Sequence, residues 1–215
     1  MSRSDRHLDL GCGKFPRNPY GRTEVCGVDI RALGDAAGFE LRAANLATQP
    51  IPYDDGSFAS VSAFDFLEHM PRILPTVDGS GTTFPFIRLM NEIWRVLQPG
   101  GRLYALTPAY PHPSAFSDPT HVNILTDTTH EYFTGDNPPG RMYGFIGHYR
   151  LLRAERVRID DHYSAIAGSS ENRAQPAGLR RIAHSLRDVI RRVRGKARAD
   201  DMPYLLWEFE AVKPD

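Results

Sequence analysis

The sequence predicts an α/β chain organised around a doubly wound, mostly parallel sheet. Three observations carry that expectation: short apolar strands alternating with helical or looped connections, a Gly-X-Gly turn directly after the first strand, and one amphipathic helix leading into a further strand. His7 to Leu10 is the first strand and runs into Gly11-Cys12-Gly13. Val25 to Ile30 is the second, and Val61 to Phe66, behind the turn Tyr53-Asp54-Asp55-Gly56, the third. Phe86, Leu89, Met90, Ile93, Trp94 and Leu97 recur at helical spacing, so one face of that helix is expected to be buried. Pro99-Gly100-Gly101 then stops the helix and turns the chain into the strand Arg102 to Thr107. Regular pattern returns at Tyr149 to Ile159, and Tyr204 to Val212 reads as a closing strand.

A chain of 215 residues has room for a single well-cored domain, expected over 1–215. With 41% apolar and 24% charged residues, disordered and fibrous classes are excluded. No apolar run reaches the roughly 20 residues that cross a bilayer. The start, MSRSDRHLDL, has no signal-peptide apolar core, which points to a cytoplasmic protein. Cys12 and Cys26 are too few for a disulfide framework and read as reduced, half-buried small residues.

Net charge is zero, but residues 177–198 hold eight Arg or Lys against Asp188 alone. The remainder therefore carries 18 bases and 25 acids, a net of −7. Leu179, Ile182, Leu186, Val189 or Ile190, and Val193 fall on one helical stripe there. Such a basic helix suits an anionic membrane surface, an anionic substrate, or plain packing on the sheet with a solvated face. A clamp for nucleic acid is a less favoured reading, since no aromatic residue interleaves the arginines, which argues against a single-strand binding surface.

Gly11 and Gly13 let the backbone turn tightly and approach a ligand with no Cβ in the way. Asp29 ends the next strand, 18 residues beyond Gly11, where a carboxylate can accept both hydroxyls of a ribose. Pro16 replaces the third glycine of the dinucleotide fingerprint, and the Gly-Lys-Ser/Thr of a phosphate loop is absent.

Taken together, LDLGCG, VCGVDI, NLATQPIPYDDGSFASVSAFDFLEHM and EIWRVLQPGGRLYALTP resemble, in order and spacing over residues 8–107, the class I S-adenosylmethionine-dependent methyltransferases of the type 11 kind. The resemblance implies a Rossmann-like sheet with an antiparallel last strand and S-adenosylmethionine as cofactor. It implies that Gly11 and Gly13 pass under the methionine part, that Asp9 helps to hold its amino group through the loop or a water, and that Asp29 takes the ribose hydroxyls. Asn45 and Leu46 fall at the adenine position, and Phe64 beside the methionine. Between Gly13 and the second strand lie only Lys14 to Glu24, with Pro16, Pro19 and Gly21, so the first crossover helix is expected to be shortened or lost.

The loop-rich stretch 108–147 follows the strand after the helix and reads as a lid or substrate-binding insertion. Within it, SDPTHVN resembles blocks in small methyltransferases of surface-carbohydrate synthesis. His121 is expected to serve as base or substrate-orienting residue, with Asp118 setting its tautomer. The Glu68-His69 pair reads as structural. His112, Asp118, His121 and His130 match no zinc spacing, so no metal is expected. O-methylation of a sugar or small-molecule hydroxyl is the leading expectation; a nucleic-acid or protein methyltransferase and a non-catalytic cofactor-binding module stay open.

Overall fold

The structure is a computed structural model that describes residues 5–31, 39–158 and 202–214. Seven strands form one sheet: β1 (Arg6–Leu10), β2 (Glu24–Asp29), β3 (Glu40–Ala43), β4 (Phe58–Phe64), β7 (Leu97–Pro108), β8 (Tyr149–Val157) and β9 (Tyr204–Ala211). Their order is β3-β2-β1-β4-β7-β9-β8. Every pairing from β3 across to β7 is parallel, whereas β9 runs antiparallel to both β7 and β8. This is the Rossmann-like arrangement with an antiparallel last strand. Two short strands, β5 (Leu74–Pro75) and β6 (Thr82–Thr83), pair apart from it.

Helix α1 (Pro85–Val96) bridges β4 and β7, with Pro85 in its first turn, where a missing N–H costs nothing. Phe86, Leu89, Met90 and Ile93 are buried, as their spacing predicts; Val96 is buried beside them, whereas Trp94 is only half-buried. They pack on Leu8, Leu10, Val61, Ala63, Leu103 and Ala105, one face of the central strands. Leu97 already belongs to β7, and Gly100, at φ +73, makes the turn before the pairing resumes at Arg102. Strand β3 escapes sequence reading because Glu-Leu-Arg-Ala is short, mostly exposed and lies at the sheet edge.

The opposite face is built differently. Register places His7 beside Ser60 and Asp9 beside Ser62, and period 2 puts all four on the side away from α1. Ser62 Oγ donates to Asp9 Oδ1 at 2.6 Å. Its oxygen therefore accepts from His7 Nε2 at 2.8 Å, and His7 Nδ1 accepts from Ser60 Oγ at 2.8 Å. Asp9 Oδ2 takes the Arg17 backbone N–H at 2.8 Å. No helix forms between Gly13 and β2. That stretch lies on the polar face instead, with the Arg17 guanidinium over the Phe64 ring, Tyr20 edge-on to Tyr104 and the Tyr20 hydroxyl donating to Glu208. The basic segment 177–198 lies outside the described residues.

Burial holds His7 neutral and depresses its pKa from 6.5 to about 3. As pH falls below about 6.5, the unfolded chain takes up a proton that the native histidine refuses. This group alone then removes up to about 1.4 kcal/mol of stability per pH unit until about pH 3. Denaturant titrations at pH 7, 6, 5 and 4 are expected to show a flatter acid limb for His7→Gln than for the parent chain. Parallel profiles would mean that His7 is not held neutral.

Candidate active site

At the end of β1 the Gly11 and Cys12 N–H groups both donate to Val28 O, so the chain stays beside β2 as it turns. Gly11 and Gly13 sit at φ +66 and +56, backbone that side chains disfavour. A Cβ on Gly11 would stand 2.6 Å from the Phe66 ring, whereas one on Gly13 meets only Arg31, at 3.8 Å. Cys12 points the other way and packs on Gly27, where a Cβ would come within 2.4 Å of its sulfur. Both cysteines are buried at 3% exposure, not half-buried, and burial pushes the Cys12 thiol up to about 12.

Gly11 to Phe15, Arg17, Arg31, Phe64 and Asp65 line a cleft of about 260 Å³ at the carboxyl edge of the sheet. Asp65 holds φ 47 and donates its N–H to Leu106 O, which seats Phe66 against Gly11. A larger cavity of about 460 Å³, bordered by Glu131, His148 and Tyr149, lies at the opposite edge, where β8 begins.

Asp29 is buried at the end of β2 with every acceptor position used. Oδ1 takes the Arg31 N–H and Nε, and Oδ2 takes the Gly13 N–H and the Arg31 Nη2. Burial raises its pKa, but the hydrogen bonds from Arg31 and Gly13 outweigh that and hold it below the usual carboxylate range. Asp9 does not reach the cleft surface; it is 0% exposed and accepts from Ser62 Oγ and the Arg17 N–H. Asn45 Oδ1 accepts from the Ala47 N–H and so caps the turn after β3. Leu46 is buried, its carbonyl held by Arg88.

The 108–147 stretch divides in two. Beyond residue 122 it is anchored in the core by a few residues: Asn123, Leu125, Phe133 and Phe145 are each at most 2% exposed, and Phe133 and Phe145 pack against Phe86 and Tyr149. Asn123 pins the junction, giving Nδ2–H to Leu67 O and accepting from Arg72 Nε. The Val122 and Asn123 N–H groups both donate to Glu68 O.

That docking brings His121 onto the 3-10 turn Leu67–His69. The His121 and His69 rings meet edge-to-face, with centroids 4.8 Å apart. His121 Nε2 stands 3.9 Å from Glu68 Oε1, and its Nδ1 bonds Ala115 O at 3.2 Å. The expectation that Asp118 sets the His121 tautomer is therefore corrected. The Asp118 carboxylate is exposed and takes the Thr120 N–H and hydroxyl, at 2.8 and 2.6 Å, while the Ala115 carbonyl orients His121. Glu68 is the carboxylate that faces the ring. Thr107 donates to its Oε2, but Oε1 is buried without a hydrogen bond, and burial pushes the Glu68 carboxyl up to about 8.

Residues 8–105 match the family model of the methyltransferase domain. Among solved structures, a SAM-dependent methyltransferase from Archaeoglobus fulgidus is similar at 14% identity and TM-score 0.51, over 96% of this chain and 86% of that one. The YcgJ protein of Bacillus subtilis is similar at 16% identity and TM-score 0.51, over 100% and 94% of the two chains. The cyclase SpnF is similar at 18% identity and TM-score 0.55, over 100% and 77%. A comparison with curated proteins gave no match.

The cofactor is S-adenosylmethionine, and the residues fit it. The two positive-φ glycines leave open the space that a Cβ would fill, and a carboxylate ends the neighbouring strand. One feature of a standard methyltransferase domain is missing, the helix N-terminus after the glycine loop. Lys14, Arg17 and Arg31 bring positive charge to the cleft in its stead. Gly11→Ala is expected to destabilise the ligand-free protein by about 2–3 kcal/mol, from strain plus overlap with Phe66. Gly13→Ala should cost about 1 kcal/mol, from backbone strain alone. Urea denaturation of the two variants checks the order, and equal losses would mean that Phe66 yields freely.

Proposed function

We propose that this methyltransferase carries out O-methylation, with a sugar or small-molecule hydroxyl as acceptor. The observation that carries this reading is the Glu68 Oε1 atom, buried without a hydrogen bond and facing His121 Nε2 at 3.9 Å, on the same sheet edge as the glycine cleft. A hydroxyl acceptor must shed a proton, and this pair gives it a place to go.

S-adenosylmethionine supplies a methyl group on a sulfonium, which an acceptor displaces in line. The chain's residues hold the partners and move the proton. Gly11 and Gly13 let the backbone lie under the amino-acid part, with Lys14 and Arg17 near its carboxylate. Phe64 walls that part of the cleft. Asn45 keeps one lone pair on Oδ1 for an exocyclic amine, and no acceptor among the described residues takes the Leu46 N–H, leaving it for a ring nitrogen. Ile30, 66% exposed beside Asp29, offers an apolar surface to the base. His121 carries its proton on Nδ1, toward Ala115 O, so Nε2 is the basic atom. It takes the acceptor's proton while the oxygen bonds to the methyl carbon and sulfur keeps the C–S electron pair. Glu68 beside it, in its ionised form, stabilises the imidazolium that results, so this support grows as pH rises through its raised pKa of about 8.

Asp29 can receive two ribose hydroxyls only when the Arg31 side chain withdraws, which frees one acceptor position on each oxygen. Arg31 is thus a competitor for the ribose site, though a mild one, since its side chain is 65% exposed. Calorimetric titration with S-adenosylmethionine is expected to show binding weakened about a hundredfold or more in Asp29→Ala, by loss of charge-assisted hydrogen bonds. In Arg31→Ala binding should tighten about two- to fivefold. Weaker binding in Arg31→Ala would instead make that guanidinium part of the cofactor's own contacts. His121→Ala should leave the affinity unchanged while S-adenosylhomocysteine release, assayed over a panel of hydroxylated acceptors, falls about 10²- to 10⁴-fold. Undiminished release would remove His121 from the chemistry.

A further inference from the structure

We propose that Glu68, His69 and His121 form a binding site for a divalent transition-metal ion of the zinc type. Each side chain offers one ligand atom, and the three atoms lie within 4.8 Å of one another, the one such group among the described residues. Glu68 and His69 come from the turn after β4 and His121 from the docked insertion, so no sequence spacing reveals the set.

The hydrogen bonds around the group leave the right atoms bare. Thr120 gives its hydroxyl proton to Asp118, so its oxygen accepts from His69 Nδ1 at 2.9 Å. The lone pair of His69 is then on Nε2. His121 Nδ1 is committed to Ala115 O, which leaves its lone pair on Nε2 as well. Thr107 occupies Glu68 Oε2, and Oε1 is the orphan. Each imidazole donates its other N–H to an oxygen, and the carboxylate is itself hydrogen-bonded, the outer arrangement that metal-ligating residues characteristically show. Glu68 is 99% buried, and its Oε1, without a hydrogen bond and facing His121 Nε2, lacks a positive partner when ionised.

The donor set decides the class of ion. Two imidazole nitrogens and one carboxylate oxygen suit zinc and its neighbours, whereas magnesium prefers an all-oxygen shell. Ligands at about 2.0–2.2 Å from zinc stand roughly 3–3.5 Å apart, so the three side chains close inward by about 1 Å or less on binding. Three protein ligands leave a coordination position open. Resting on the O-methylation reading, that position would receive the acceptor's hydroxyl and lower its pKa in the ion-bound form, where His121 Nε2 is a ligand and the proton passes to solvent; His121 would serve as base only in the ion-free form.

The test is calorimetric titration of the chelator-treated full chain with ZnCl₂ and, separately, MgCl₂, with and without S-adenosylmethionine. The expected result is one saturable Zn²⁺ site that Mg²⁺ does not fill. Glu68→Gln, His69→Ala and His121→Ala should each weaken it at least tenfold, and Thr120→Val, which touches no metal, by about tenfold. His130→Ala, outside the group, should leave it unchanged. Because a buried substitution can unfold the chain, Co²⁺ titration of the unsubstituted protein provides a second readout, a visible absorption band from a low-symmetry nitrogen–oxygen site. Absence of saturable Zn²⁺ binding, affinity unaltered across all three ligand variants, or Mg²⁺ binding in preference to Zn²⁺ would overturn the proposal. Failure to bind S-adenosylmethionine with Zn²⁺ binding intact would overturn the proposed function and leave the metal site standing.

Discussion

The buried carboxylate of Asp9 is the constraint around which this fold is arranged. It sits in the middle strands with no exposed surface, so both oxygens must be satisfied inside the protein. Ser62 of the neighbouring strand serves one and the Arg17 backbone the other. The second bond reaches out of the sheet and ties down a connection that has no helical hydrogen bonds of its own. His7 and Ser60 extend the network by one strand position. Where a crossover helix would bring an apolar stripe, this face has a chain of hydrogen bonds and a few aromatic contacts.

That substitution has consequences at the ligand edge. Losing the helix removes its dipole and its free N–H groups from the end of the glycine loop. Side-chain cations take up part of that role, and one of them, Arg31, also covers the carboxylate that a ribose must reach. The balance differs from that of backbone donors. Guanidinium groups are mobile and strongly charged, so the cleft favours an anionic group yet must rearrange to admit a full nucleoside.

On the acceptor side, Glu68 holds the site together twice over. Its carbonyl receives two N–H groups from the incoming insertion, and its side chain faces the histidine that the insertion delivers. Its carboxyl is left half-satisfied in a buried place, an arrangement that costs stability and is kept where function needs it. The aromatic pack of Phe133, Phe145 and Tyr149 anchors the far half of the insertion in the core, which gives His121 a fixed base to project from.

The sequence by itself determined the parallel strands β1, β2, β4 and β7, though not β3, and with them α1, the glycine turn and the acidic end of β2. Each of these is written in a short window, as apolar period, glycine or a strand-terminal carboxylate, and local sterics and burial are enough to enforce it. It also announced the loss of the crossover helix, through Pro16, Pro19 and Gly21. What only the tertiary structure decided is which distant polar groups meet. His7 with Ser60 and Ser62, the Gly13 N–H on Asp29, and Glu68 rather than Asp118 facing His121 all depend on sheet order, side-chain direction and loop docking. In the sequence Asp118 stands three residues from His121 and Glu68 fifty-three. In space the nearer residue turns to its own loop, because Thr120 satisfies it locally, and the distant one is delivered by the sheet.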